Sequence, residues 1–149
     1  VMLFKLLVIL HTLGATVWVG GHLVLALTVL PKALRQQDAT PIQQFEQPFE
    51  RLGLGALLLQ VLTGIALTLI YFPGGVGFWP PQSVVSQYVL VKLGLLLATL
   101  ALAVQARWFI LPKLTAETLP RLGFHIMGVT VLAVLLTIFG VGIRLGGLV

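Results

Sequence analysis

Four stretches of this 149-residue chain are apolar for long enough to cross a membrane. They run from about Leu6 to Leu30, Leu52 to Phe72, Val84 to Leu111 and Leu122 to Leu145. A spanning helix needs about 20 mostly apolar residues, because it rises roughly 1.5 Å per residue through a hydrocarbon layer about 30 Å thick. In lipid the backbone must satisfy its own hydrogen bonds, which leaves helices for segments of this length. The expected fold is therefore all-α: an integral membrane antiparallel four-helix bundle forming one transmembrane domain over residues 1–149. Proline punctuates the pattern. Pro31, Pro73 and Pro112 are expected to close the first three helices, and Pro120 to open the fourth.

Composition agrees. The chain is 58% hydrophobic and 9% charged, against about 25% charged in soluble domains. The net charge of +5 comes from scattered cations with no basic run, so nucleic acid is excluded as a partner and the lipid bilayer is the expected one. With no cysteine, disulfides, thiolate metal sites and cysteine nucleophiles are excluded. The first segment reads as a span and not as a secretory signal. Its apolar run exceeds the roughly 7–15 residues of a signal core, and no small-residue cleavage pattern follows it.

Four spans put both termini on one side. Lys32, Arg35, Arg51, Lys113 and Arg121 fall on the opposite side, against Lys5 and Arg144 on the terminal side. The excess of cations makes the 31–51 and 112–121 connections cytoplasmic and the termini outer, periplasmic or lumenal. All four acids (Asp38, Glu46, Glu50 and Glu117) share the cytoplasmic side. The first connection is expected to be a polar loop with an amphipathic turn through Phe45 and Phe49. The second carries Tyr71, Phe72, Phe78 and Trp79, which suit an interfacial aromatic belt. Glycines within the spans allow close helix packing.

Ionisable groups at membrane depth are costly and mark candidate sites. Here they are His11, His22, Lys92, Arg107 and His125, with Gln60 and Gln105 as uncharged companions. His11 and His22 are 11 residues apart, about 1100° of helix, so they share a face roughly 16 Å apart along the axis. Trp18 lies on the same stripe. Counting from the helix ends places His22, His125, Arg107 and Gln105 together near the cytoplasmic side. His11 and Lys92 fall in the other half. Two imidazoles from different helices are a b-type haem ligand pair, and Arg107 would suit the propionates. The plainer alternative makes each histidine a hydrogen-bonding strut between helices, worth about 0.6–2 kcal/mol. Arg107 can also snorkel to the surface, and Trp18 and Trp108 serve packing first.

The segment HTLGATVWVGGHLVLALTVLP resembles the first helix of the CopD-like family, with its His, Trp-x-Gly-Gly and closing Pro. YVLVKLGLLLATLALAVQARWFILPKL resembles a later helix of that family, and ERLGLGALLLQVLTGIALTLIY its Thr-Gly helix. The spacing from His11 to Trp18 also resembles HemJ-like protoporphyrinogen oxidases, whose later histidine would fall at Gln105. The first resemblance implies copper uptake or resistance, the second haem binding and porphyrinogen oxidation. His11, Trp18, Lys92 and Arg107 are the positions the resemblance carries over.

Three functions follow. The first is a membrane haem protein in a redox or electron-transfer role, with His11, His22 and His125 as metal ligands. Arg107, Lys92 and Trp18 would be further haem b contacts. The second is copper binding or transport. Cu(I) prefers sulfur, and the chain offers only Met2 and Met127, so such a site would rest on histidine. The third is a non-catalytic subunit of a larger membrane complex. A redox partner or such a complex is the expected protein partner, and any enzymatic activity would be that of a membrane oxidoreductase. No hydrolase triad, P-loop or zinc-protease motif is present.

Overall fold

The computed structural model describes all residues 1–149 as four long helices. They are α1 (Met2–Gln36), α2 (Thr40–Tyr71), α3 (Val84–Lys113) and α4 (Leu119–Leu145), each apolar enough to cross a membrane. The bundle is antiparallel, with both termini at one end, here the terminal end. The α1–α2 and α3–α4 turns lie at the other, the loop end. Large apolar side chains such as Leu13, Leu58, Leu62, Leu97 and Phe124 point outward and exposed. That outer surface suits lipid and not water.

The helices outrun the expected spans, and proline is the reason to look closely. Pro31 does not close α1. The helix widens into a π turn at Leu25–Val29 and continues to Gln36. A proline ring clashes with the carbonyl four residues earlier, here Leu27, and the wide turn absorbs that clash. The same device precedes Pro112, where Ala106–Ile110 forms a π turn. α1 ends instead at Gln37, whose left-handed backbone (φ 51°) turns the chain. Asp38 then starts α2: its carboxylate accepts hydrogen bonds from the Thr40 N–H at 2.9 Å and the Thr40 hydroxyl at 2.7 Å. Those bonds hold the Asp38 carboxyl below its usual range.

The expected polar loop over 31–51 is therefore only a tight turn at residues 37–39. Residues 40–51 are the first three turns of α2, with Pro48 inside the helix. At the other end, Ser83 and Ser86 cap α3 reciprocally: the Ser83 hydroxyl accepts the Ser86 N–H at 3.1 Å, and the Ser86 hydroxyl accepts the Ser83 N–H at 3.0 Å. Pro120 sits in the first turn of α4, as expected.

The helices do not pack evenly. α1 lies along α2, α3 along α4, and α1 also meets α4, but α2 and α3 barely touch. The lateral order is thus α2, α1, α4, α3, with one open seam between the outer pair. A ten-residue core around Leu25, Ile42, Leu119 and Leu122 closes the loop end. A smaller one, of Trp18, Leu57, Val129 and Ala133, holds the middle. In the α1–α2 seam a Cβ at Gly21 would overlap the Phe49 ring, so the missing side chain is what lets that ring lie across α1.

Candidate functional site

The open α2–α3 seam becomes a cleft of about 150 Å³ near the loop end. α1 and α4 form its floor with Trp18, His22, His125 and Val129. α2 and α3 form its walls with Glu46, Phe49, Glu50, Ala103 and Arg107. Its lining is mostly apolar, so the polar groups in it are few and specific.

His22 is held from three sides. Its Nδ1–H donates to the Trp18 carbonyl one turn back at 2.8 Å. Its ring lies 4.4 Å from the Trp18 ring, and Phe49 meets it edge-on at 6.0 Å. Thr130 of α4 donates its hydroxyl to the His22 backbone carbonyl at 3.2 Å, which ties α1 to α4 at this level. With Nδ1 carrying the proton, Nε2 keeps its lone pair. His125 is held similarly: Nδ1–H donates to the Arg121 carbonyl at 3.1 Å, and Nε2 lies 3.2 Å from the Gln105 side-chain amide. An amide turned to offer its N–H satisfies both nitrogens of a neutral ring.

Two carboxylates join them. Glu46 and Glu50 are one turn apart on α2, and Glu50 pairs with Arg107 of α3 at 2.9 Å. That ion pair crosses the seam that packing leaves open. The π turn at Ala106–Ile110 sets the direction from which Arg107 approaches. Trp18 is buried, yet its indole N–H has no hydrogen-bond partner within the protein.

The terminal end is built differently. His11 Nδ1–H donates to the Thr63 hydroxyl at 2.8 Å, and Thr63 donates to the Leu59 carbonyl at 2.6 Å. The Gln60 amide donates to the His11 carbonyl. All of these lie in the closely packed α1–α2 seam. Lys92 places its ammonium against Gly140 of α4, and the Arg144 guanidinium lies 5.3 Å from the Phe4 ring centroid.

Of the sequence-predicted residues, His22, His125, Arg107 and Trp18 line one cleft, and Gln105 reaches it through His125. His11 and Lys92 are at the other end and line no part of it. The sequence reading placed Phe49 in an amphipathic turn and Glu46 and Glu50 on the cytoplasmic side, but not in the site, because residues 31–51 read as a loop. Their signal was present: Phe45 and Phe49, and Glu46 and Glu50, repeat at helical spacing, and the two phenylalanine rings stack at 5.3 Å. No three histidine or acidic side chains stand close enough to form a ready-made metal cage. The cleft therefore presents donors around a space, not a closed coordination shell.

A family model described as copper resistance protein D matches residues 43–145. The chain belongs to the CopD family. No curated protein and no solved structure matches the chain significantly. The CopD match covers α3, α4 and nearly all of α2, so Glu46, Glu50, Lys92, Arg107 and His125 fall inside it. α1 precedes it, and with α1 come His11, Trp18 and His22. The chain is thus a four-helix, multi-pass membrane protein of this family, whose cleft is walled by matched helices and floored in part by α1.

Proposed function

We propose that this CopD-family protein handles copper as cargo, bound in the α2–α3 cleft by nitrogen and oxygen donors. The supporting observation is that two imidazoles and two carboxylates, from three helices, line one mostly apolar cleft. Imidazole and carboxylate suit Cu(II) in a tetragonal field, whereas Cu(I) wants thiolate or thioether. The chain has no cysteine. Met2 lies at the exposed chain start, and Met127 is 44% exposed and lines no part of the cleft. His22 supplies a fixed lone pair at Nε2, with the Trp18 ring stopping the imidazole from turning away, and His125 supplies a second once the Gln105 amide releases its Nε2. Glu46 and Glu50 offset the charge of the ion. Donors that surround a space without enclosing it favour an ion that enters and leaves. The cation excess at the loop end makes that end cytoplasmic.

Haem b is the second reading, favoured by the same pair of histidines on different helices. It has to reckon with a cleft of about 150 Å³, below the roughly 300–1,000 Å³ of small-molecule sites. Purified protein in detergent separates the two. After Cu(II) loading and desalting, metal analysis should find bound copper in the wild type and loss of most of it in His22→Ala and His125→Ala, with no Soret band. A Soret band with sharp reduced α and β bands would replace copper by haem. Absence of both would leave the histidines as struts between helices.

A further inference from the structure

The terminal end holds basic groups with no acid to match them. Lys5, Lys92 and Arg144 are there, while Asp38, Glu46, Glu50 and Glu117 all lie at the loop end. Lys92 matters most, because it sits within the span of α3, eight residues past Val84, or about 12 Å along the axis. Its ammonium reaches across to α4, where a Cβ on Gly140 would come 3.2 Å from Nζ. The bare backbone at Gly140 makes room for a charge. The protein's one ion pair joins Arg107 to Glu50, so Lys92 has no carboxylate partner.

Arg144 lies one turn beyond Gly140 on the same face of α4 and reaches over Phe4 of α1. His11 is seven residues from Phe4, two turns along the same face of α1. Two cations thus share one end of the bundle at staggered depth. Unpaired charge within a span marks a partner that the chain itself does not provide.

We propose that Lys92 of α3 and Arg144 of α4 bind a phosphate-class anion at the terminal end of the bundle, either a lipid phosphodiester or free phosphate. The ammonium acts as a compact point charge at the level of Gly140, and the guanidinium one turn outward can grip two oxygens at once. The site is separate from the copper cleft and does not depend on it.

The test uses the full chain in maltoside micelles, which carry no phosphate. Phosphatidylglycerol is titrated in one arm and sodium phosphate in the other, against sodium chloride at equal ionic strength. Thermal unfolding is the readout, since a ligand of the folded state raises Tm saturably. The wild type should respond to at least one of the two probes, and the responding arm identifies the source. Lys92→Gln should lose the response, Lys92→Arg should keep most of it, and Lys5→Gln should keep all of it. A wild type whose Tm neither probe moves would overturn the site. So would a folded Lys92→Gln variant whose Tm rises with the probe as the wild type's does.

Discussion

His11 and His22 lie on one face of one helix, yet they live in different proteins in all but name. His11 faces the closely packed α1–α2 seam, where Thr63 and Gln60 occupy its ring and its backbone carbonyl. His22 lines the cleft, where its Nδ1 is tied to its own helix and no residue of another helix binds its ring nitrogens. The difference is made by neighbours and not by residue type. A seam filled by small residues and hydrogen bonds turns a histidine into a strut. A seam that two helices fail to close leaves the same side chain available as a ligand.

The largest disturbance of that contrast should come from Gly21→Leu. The new side chain would overlap the Phe49 ring, and overpacking of this kind costs about 1–3 kcal/mol. Unfolding titrations should show the loss, and copper binding should weaken with it because Phe49 also walls the cleft.

The next effect sharpens the strut side. Thr63→Val removes the hydroxyl that accepts from His11, which should cost about 0.6–2 kcal/mol and leave copper binding unchanged. A matching loss of copper would mean that the two ends are coupled.

The helix count, the antiparallel order and the grouping of His22, His125 and Arg107 were all legible in the sequence. They follow from fixed quantities: the rise per residue and the thickness of the hydrocarbon layer. What proline does was not legible. Pro31 and Pro48 both lie inside helices because the clash of each ring is local and a neighbouring turn, or the helix itself, can adjust to it. Reading Pro31 as a boundary hid Glu46 and Glu50 in a supposed loop. Nor does any single helix record that α2 and α3 stand apart. That depends on lateral order, which periodicity within one segment does not encode.

Smaller effects test the mouth of the cleft. Glu50→Gln breaks the pair with Arg107, whose side chain is 57% exposed. An ion pair so open contributes less than about 1 kcal/mol, so stability should scarcely move. Exchange of bound copper, followed by stopped flow, should be altered, because the variant unlinks α2 from α3 and removes one donor charge. Unchanged exchange would deny the ion pair any part in access.

The smallest expected effect is at the α1–α2 turn. The Thr40 hydrogen bonds depress the Asp38 pKa, so their stabilisation is complete above the unfolded carboxyl value of about 3.9. It is lost as pH falls through the lower folded value. Amide exchange at Thr40, corrected for its intrinsic pH dependence, should lose protection only in that acid window. Loss at neutral pH would place the cap elsewhere.

The most direct test of the account is Cu(II) paramagnetic resonance on His11→Ala and His22→Ala, purified side by side. His11→Ala should keep the copper signal and its nitrogen splitting, and His22→Ala should lose both. The reverse outcome, with copper depending on His11 and indifferent to His22, would contradict the proposed copper site in the α2–α3 cleft.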